Sequence, residues 1–266
     1  MNVLYIGDVM GEKGIEAVEM FLPEIIFKYD LNMILAQAEN VTAGKSMSIT
    51  DMKRLQSIGV NFFTGGNHTP SRSELHTALK DQDQPVIGPA NMIACPGPGW
   101  KYVNTPKGKV LVISMLGNKV GKPDEIENPL QKIDEILDKN IQVPRVATIV
   151  NFHGDYSSEK KVFGYYLDGR VTAVIGDHWH VPTADAMVLP KGTAHMTDVG
   201  MCGILHSSLG VKTDVIIERW RNGTKNVNLL ETEGQLQFNA VLVSVNETTG
   251  LAKNITHLQK IQPLAH

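Results

Sequence analysis

The feature that most constrains this chain is an alternation. Short apolar runs, each closed by glycine or a polar residue, take turns with stretches of helical apolar spacing. "VLYIG" (3–7), "MILAQAEN" (33–40), "VNFFTGGNH" (60–68), "KVLVISMLGN" (109–118), "RVATIVNFHGD" (145–155) and "AVIGD" (173–177) read as strands. Several are almost unbroken runs of apolar residues, as strands covered on both faces are. Between the first two, Ile15, Val18, Phe21, Leu22, Ile25 and Ile26 are spaced for a helix over 14–29, which Pro23 is expected to kink or shorten. Residues 50–59 form a predicted helix with a threonine cap and a terminal glycine. A further helix is expected to open at Thr69, with Pro70 first inside and Ser71 with Glu74 as a capping box. Residues 128–140, 157–166 and 211–220 complete the predicted helices, while 85–92 and 192–200 read as extended. The tail, 235–261, alternates around "NETTG", a hairpin signal. Strands and helices in this order predict a layered α/β sandwich with two sheets, not a barrel. No repeat or low-complexity linker interrupts it, so residues 1–266 read as a single domain.

Composition narrows the partners. Hydrophobic residues make up 42% and charged residues 20%, an ordinary soluble balance. The net charge of -3 offers no basic surface for long nucleic acid, though a small anionic substrate needs only a local positive cluster. Two distant cysteines, Cys95 and Cys202, are no disulfide framework and fit a reducing compartment. No stretch reaches transmembrane length, and "MNVLYIGDVMG" lacks the basic start of a signal peptide, so a cytoplasmic protein is expected.

The chemistry collects at strand ends. Asp8 follows the first strand, Glu39 and Asn40 the second, Asn67 and His68 the third. His153 ends the run at 145–155, and His178 and His180 follow the one at 173–177. Ligands of α/β proteins bind at the carboxyl ends of strands, so parallel neighbours would gather these groups on one edge. Side chains two apart in a strand share a face, so both imidazoles of "DHWH" would aim at one spot. Each residue alone has an ordinary alternative: a turn for Asp8 or Asn40, a helix entry for His68, a bonded core histidine for His153. Five ordinary explanations on one edge are harder to assemble than one metal site. The other histidines, His76, His195, His206, His257 and His266, end no strand beside a second ligand type and read as structural or surface residues.

"GD" (7–8), "GNH" (66–68), His153 and "DHWH" (177–180) resemble the calcineurin-like metallophosphoesterases, whose usual pattern is D-x-H, GD, GNH[DE], H and GH-x-H. Here Met10 stands in place of the first histidine, "AEN" (38–40) in place of the second motif, and Thr69 in place of the acid after GNH. With "IGDVMG", "AENVTAGK", "GGNHT", "NFHGDYSSEK", "YLDGRVTAVIGDHWHVPTAD" and "LPKGTAHMTDVGMCG", the chain is more narrowly similar to the bacterial YmdB-type metallophosphoesterases, from residue 3 to about 260. That resemblance implies a four-layer α/β/β/α sandwich and a two-metal phosphodiesterase acting on cyclic nucleotides, 2′,3′-cyclic ones above all. It implies one metal on Asp8, Glu39, Asn40 and His180, a second on Glu39, Asn67, His153 and His178, with Glu39 bridging, and His68 as an acid rather than a ligand. Asn40 takes the place left by Met10. Ala38 and Gly154-Asp155 depart from the narrower group's usual "GEN" and "FHAE". A homo-oligomer is implied by the resemblance alone.

These residue types suit that reaction. Two metals can hold hydroxide and the non-bridging phosphate oxygens. Two carboxylates, two amides and three imidazoles leave two divalent cations at +2, or +1 with hydroxide, still attractive to a phosphate. The mixed donors suit Fe, Mn or Zn better than Ca, with Fe or Mn favoured by the resemblance. A histidine at position 68 can protonate the leaving oxygen. The same metals would serve a phosphomonoesterase or nuclease, and a ligand-sensing module with little turnover is the reading from another class. Segments 41–49, 93–106 and 117–127 are expected to shape the pocket, where Trp100 or Trp179 could stack on a base.

Overall fold

In the computed structural model, which describes residues 1–121 and 123–264, two sheets lie face to face between layers of helix. The first sheet runs β2 (Asp8–Val9), β11 (Met201–Ile204), β12 (Leu236–Val245), β1 (Asn2–Ile6), β3 (Met33–Gln37) and β4 (Phe62–Thr64), with β13 (Ala252–Ile261) paired to β12. The second runs β5 (Trp100–Thr105), β6 (Gly108–Leu116), β7 (Ala147–His153), β8 (Ala173–Asp177), β10 (Ala194–Met196) and β9 (Met187–Val188). The helices are α1 (Gly11–Lys28), α2 (Ile49–Ser57), α3 (Leu75–Lys80), α4 (Pro129–Lys139), α5 (Ser157–Tyr166) and α6 (Thr213–Asn222).

Strand alternation builds the layers. In β1, Leu4 and Ile6 face α1, whereas Val3 and Tyr5 face the other sheet. Between the sheets Met33, Leu35 and Phe62 meet Val110, Val112, Ile149 and Ile175. Beyond the second sheet Leu111, Ile113, Val150 and Val174 pack on Ile133 of α4 and Phe163 of α5. Each such side chain contributes about 1.5–3 kcal/mol relative to exposure. The expected α/β/β/α sandwich is therefore the fold. β1, β3 and β4 are mutually parallel, as are β6, β7, β8 and β10. The candidate ligands thus do not share one sheet edge, as the alternation led us to expect. They sit at the carboxyl ends of two facing sheets, which meet across the sandwich.

Local expectations fared unevenly. α5 and β8 have the predicted bounds. Pro23 is exposed, and α1 continues through it. The cap of α2 is Ser48, whose side chain accepts from the Asp51 N–H, not Thr50. Thr69–Ser71 form one 3-10 turn, and α3 starts only at Leu75 with no side-chain cap, so no Ser71–Glu74 box forms. Residues 85–92 touch the first sheet through one bridge, Phe63 to Val86. The segment 93–106 is not simply a pocket loop, because residues 100–105 pair antiparallel with β6. Its Trp100, partly buried, meets Tyr102 edge-on at 6.1 Å and packs against the cluster that includes Ile133 of α4. β2, β9 and β11 are too short to have left a pattern.

Candidate metal centre

The strand ends deliver their groups to one place. Asp8 is buried as β1 passes into β2, and Glu39 and Asn40 follow β3 directly. The Asn40 amide donates to both Asp8 oxygens at 3.1 Å and to Glu39 Oε1 at 3.2 Å. His180 Nε2 lies 3.3 Å from Asp8 Oδ2 and 3.4 Å from the Asn40 amide nitrogen. On the other side, His153 Nε2 is 3.1 Å from both Glu39 Oε1 and Asn67 Oδ1. The rings of His153 and His178 meet edge-on at 4.4 Å. One donor atom each from Glu39, His153 and His178 lies within 4.8 Å of the others. All seven expected ligands are therefore brought together, in two subsets that share Glu39. His68 joins them through its backbone N–H, which donates to Glu39 Oε2 at 2.8 Å. The close approach requires Gly66: a Cβ there would lie 2.3 Å from Glu39 Oε2 and 2.7 Å from His153 Cδ2.

A polar web stands behind His153. Asp177 Oδ1 lies 2.6 Å from its Nδ1, so this nitrogen carries the hydrogen and Nε2 is left facing Glu39. Asp177 Oδ2 accepts from the Tyr5 hydroxyl at 2.9 Å and from the Asn151 amide. The Gln37 amide nitrogen lies 3.1 Å from His153 Nδ1 and 3.4 Å from Asp177 Oδ1, while Gln37 Oε1 accepts the Glu39 N–H at 2.7 Å. Sequence reasoning missed Tyr5, Gln37, Asn151 and Asp177. The available signal was a polar group inside each apolar run, "VLYI", "MILAQ" and "ATIVNFH", because fully covered strands bury polar side chains only where they find partners.

The reason His178 and His180 point inward differs from the expected one. β8 ends at Asp177, and the two histidines have φ of 108° and 62°. They occupy a bend in the left-handed region, uncommon for residues with a Cβ, rather than alternate positions of a strand. The bend splits them, one ring going to His153 and the other to Asp8.

Electrostatics tests whether a metal fits. Asp8 and Glu39 are buried, and among the described residues their ion pairs are with histidines alone. Burial would raise the Glu39 carboxyl, but the His153 charge outweighs it and holds Glu39 well below the carboxylate range. Burial would lower His153, yet Glu39 and Asp177 push it well above the imidazole range. His180 is likewise lowered by burial and raised more by Asp8. Burial and the His153 charge push His178 down to about 3, so it is a neutral donor. Buried carboxylates that take their positive charge from protons on imidazoles, beside a free neutral imidazole, are what a divalent cation would satisfy. Turning the Asn40 amide by half a rotation would present its oxygen to such a cation. The donor set fits.

The departures surround the site without entering it. Met10 packs with Met201 and Val211, and Ala38 lies in the core under α1. Thr69 is buried, and its carbonyl accepts from Ser46 of the 41–49 loop at 2.6 Å. Asp155 has its carbonyl on the Trp179 indole N–H at 2.8 Å and a carboxylate oxygen 3.9 Å from His178 Nε2. Of segment 117–127, residue 122 lies outside the described residues. So does His266. His76 bonds the Pro70 carbonyl and His195 that of Val174, and among the described residues His206 and His257 lie in no metal-capable cluster. Cys95 and Cys202 are free thiols, and among the described residues no helix is long and apolar enough to cross a membrane.

Known proteins resemble this chain over three quarters of its length or more. The profile of the family described as "YmdB-like protein" matches residues 4–258. A Bacillus subtilis protein named 2′,3′-cyclic-nucleotide 2′-phosphodiesterase is 33% identical over 260 residues, 97% of this chain and 96% of that one. A Mycoplasma genitalium protein with a provisional phosphatase/phosphodiesterase name is 36% identical, covering 76% of this chain and 73% of its own. Among solved structures, one described as a novel phosphatase from Mycoplasma pneumoniae superposes with a TM-score of 0.91 at 29% identity, covering 98% of this chain and 93% of that one. A hypothetical protein from Thermus thermophilus gives 0.89 at 32%, covering 99% and 100%.

Proposed function

The chain belongs to the YmdB-like family, and on that premise we propose that it is a hydrolytic phosphoesterase with a dinuclear metal centre that opens cyclic nucleotides, 2′,3′-cyclic ones first. The observation that carries this reading is the meeting of Glu39, His153 and His178 donor atoms within 4.8 Å, beside the Asp8–Asn40–His180 cluster. In this reading Asp8, Glu39, Asn40 and His180 hold one cation, and Glu39, Asn67, His153 and His178 the other. Bound there, two cations would supply charge for the phosphate oxygens and make a water acidic enough to react near neutral pH.

The chain's own groups do the rest. Glu39 is held by the His68 N–H, so the two subsets keep a fixed spacing. Asp177 holds the His153 proton on Nδ1, which keeps Nε2 directed at the centre. His68 gives a proton to the leaving ribose oxygen, so that oxygen leaves phosphorus as a hydroxyl instead of an alkoxide and the product is a ribose phosphate monoester. The mixed nitrogen and oxygen donors suit Fe, Mn or Zn, and the family resemblance favours Fe or Mn among them. The substrate is a small anionic phosphoester rather than a long nucleic acid, and the free thiols suit the cytoplasm. A homo-oligomer remains part of this reading through family resemblance.

Elemental analysis of purified protein, paired with hydrolysis of 2′,3′-cyclic AMP before and after chelation, tests it. About two transition-metal ions per chain and chelator-sensitive product are expected. Metal with turnover only on monoesters or oligonucleotides would move the assignment to a phosphatase or nuclease. Metal without turnover on any phosphoester would favour ligand sensing. A chain that takes up no Mn, Fe or Zn would overturn the dinuclear centre.

A further inference from the structure

We infer that Lys160 and Asp198 are positioning residues for the metal centre: together they clamp the bend that presents His178 and His180. The inference rests on the metal-centre reading above. Among the described residues no backbone hydrogen bond closes residues 177–180 on themselves. Two residues with Cβ atoms nevertheless have positive φ there, a strained arrangement that persists only where surroundings enforce it.

The enforcement comes from α5 and from the segment after β10. Lys160 Nζ donates to the Asp177 carbonyl at 2.7 Å, where the bend begins, and to Asp198 Oδ2 at 2.7 Å. Asp198 Oδ2 also accepts the Trp179 N–H, in the middle of the bend, at 2.8 Å. Its other oxygen accepts the Gly200 N–H at 2.9 Å, and the Met201 N–H bonds the His180 carbonyl at 3.2 Å. Lys160 Nζ lies 4.1 Å from the centre of the Trp179 ring. Both charged side chains are fully buried. A buried ion pair is weak evidence for stability, since apolar residues of similar size often serve as well. Here every bond of the pair ends on the bend or on the segment that receives it, which gives it a directional task. Gly154, one of the departures from the family pattern, fits the same device: a Cβ there would lie 3.2 Å from Lys160 Cγ and 2.8 Å from Phe152.

The test is Mn²⁺ binding to chelator-stripped protein, followed by calorimetry alongside the thermal midpoint of the metal-free chain. Lys160→Met with Asp198→Asn removes both charges and leaves none buried unpaired. It is expected to weaken Mn²⁺ binding about 10–100-fold, the range for partners that orient ligands. Asp198→Asn alone, which preserves size, covers the case in which the double variant does not fold, and is expected to lose affinity about tenfold. Lys161→Met, on the same helix but paired to the half-buried Asp185, should leave Mn²⁺ affinity unchanged. A folded Asp198→Asn or double variant with wild-type affinity overturns the clamp while leaving the metal centre standing, even if its midpoint falls. A wild type that binds no Mn²⁺, Fe²⁺ or Zn²⁺ overturns both.

Discussion

The two halves of the centre are built on different principles. The half from the first sheet, Asp8, Glu39, Asn40 and Asn67, consists of oxygen-bearing side chains, and within it Asn40 bonds both carboxylates directly. The half from the second sheet, His153, His178 and His180, consists of imidazoles held from behind: Asp177 on His153, the Leu209 carbonyl 3.1 Å from His180 Nδ1, and the Lys160–Asp198 pair under the bend. The first half is held by short connections leaving parallel strands. The second spends backbone strain and needs buried scaffolding to keep it. Carboxylates and amides accept from several directions, whereas an imidazole binds only along its ring plane and must be aimed.

Substitutions can break that contrast, and the largest effect is expected at Glu39, the first-sheet group that both ligand subsets share. Glu39→Gln removes one of two carboxylates and the common ligand; both metals and all measurable turnover should go, as read by elemental analysis and 2′,3′-cyclic AMP hydrolysis. His178→Ala should deplete metal and abolish activity together, and unchanged metal content would count against its ligand role. His68→Ala should lower turnover by about 10²–10⁴-fold with metal retained, the loss expected of a general acid; a metal-depleted variant would instead make His68 part of the ligand shell. Asp177→Asn keeps the size of the support but not its charge, and should weaken Mn²⁺ binding by about 10–100-fold. An equal loss in an Asn40→Ala variant would remove the distinction between a self-bonded half and a propped one.

The smallest effect is in pH. His153 is raised in the metal-free fold by Glu39 and Asp177 against the opposing effect of burial. Its folded value lies above its unfolded value near 6.5, so the stability it contributes is full below about pH 6.5 and is lost as pH rises through the folded value. Cation binding displaces that proton, so Mn²⁺ affinity should rise over the same interval as the stripped chain loses stability. Thermal midpoints of stripped and loaded protein between pH 6 and 9 should diverge; parallel curves would mean that His153 does not exchange a proton for metal.

Legibility followed distance along the chain. Asp8, Glu39, Asn40, Asn67, His153, His178 and His180 could be picked out because each lies next to a recognisable apolar run, and neighbouring residues in sequence leave the same sheet end together. The supports could not. Asp177 looked like the last residue of a strand, Lys160 was one residue of a predicted helix, and Asp198 was part of an extended segment. Their meaning arises only when α5, β8 and the connection after β10 pack together. The same division explains β5: residues 100–105 contain a mixed, half-exposed pattern and become a strand through pairing with β6.

What the sequence determined by itself, then, is the alternation of strand and helix, the two-sheet layered α/β class that alternation implies, and the identities of the groups at the strand ends. Those depend on periodicity and on local adjacency, which a chain carries before it folds. Tertiary structure alone decided that the candidate ligands come from two facing sheets, that His178 and His180 are divided by a strained bend rather than aligned by a strand, and that a buried Lys160–Asp198 pair underlies it. Each of these depends on contacts between residues tens to more than a hundred positions apart, where burial removes water and leaves polar groups to find one another.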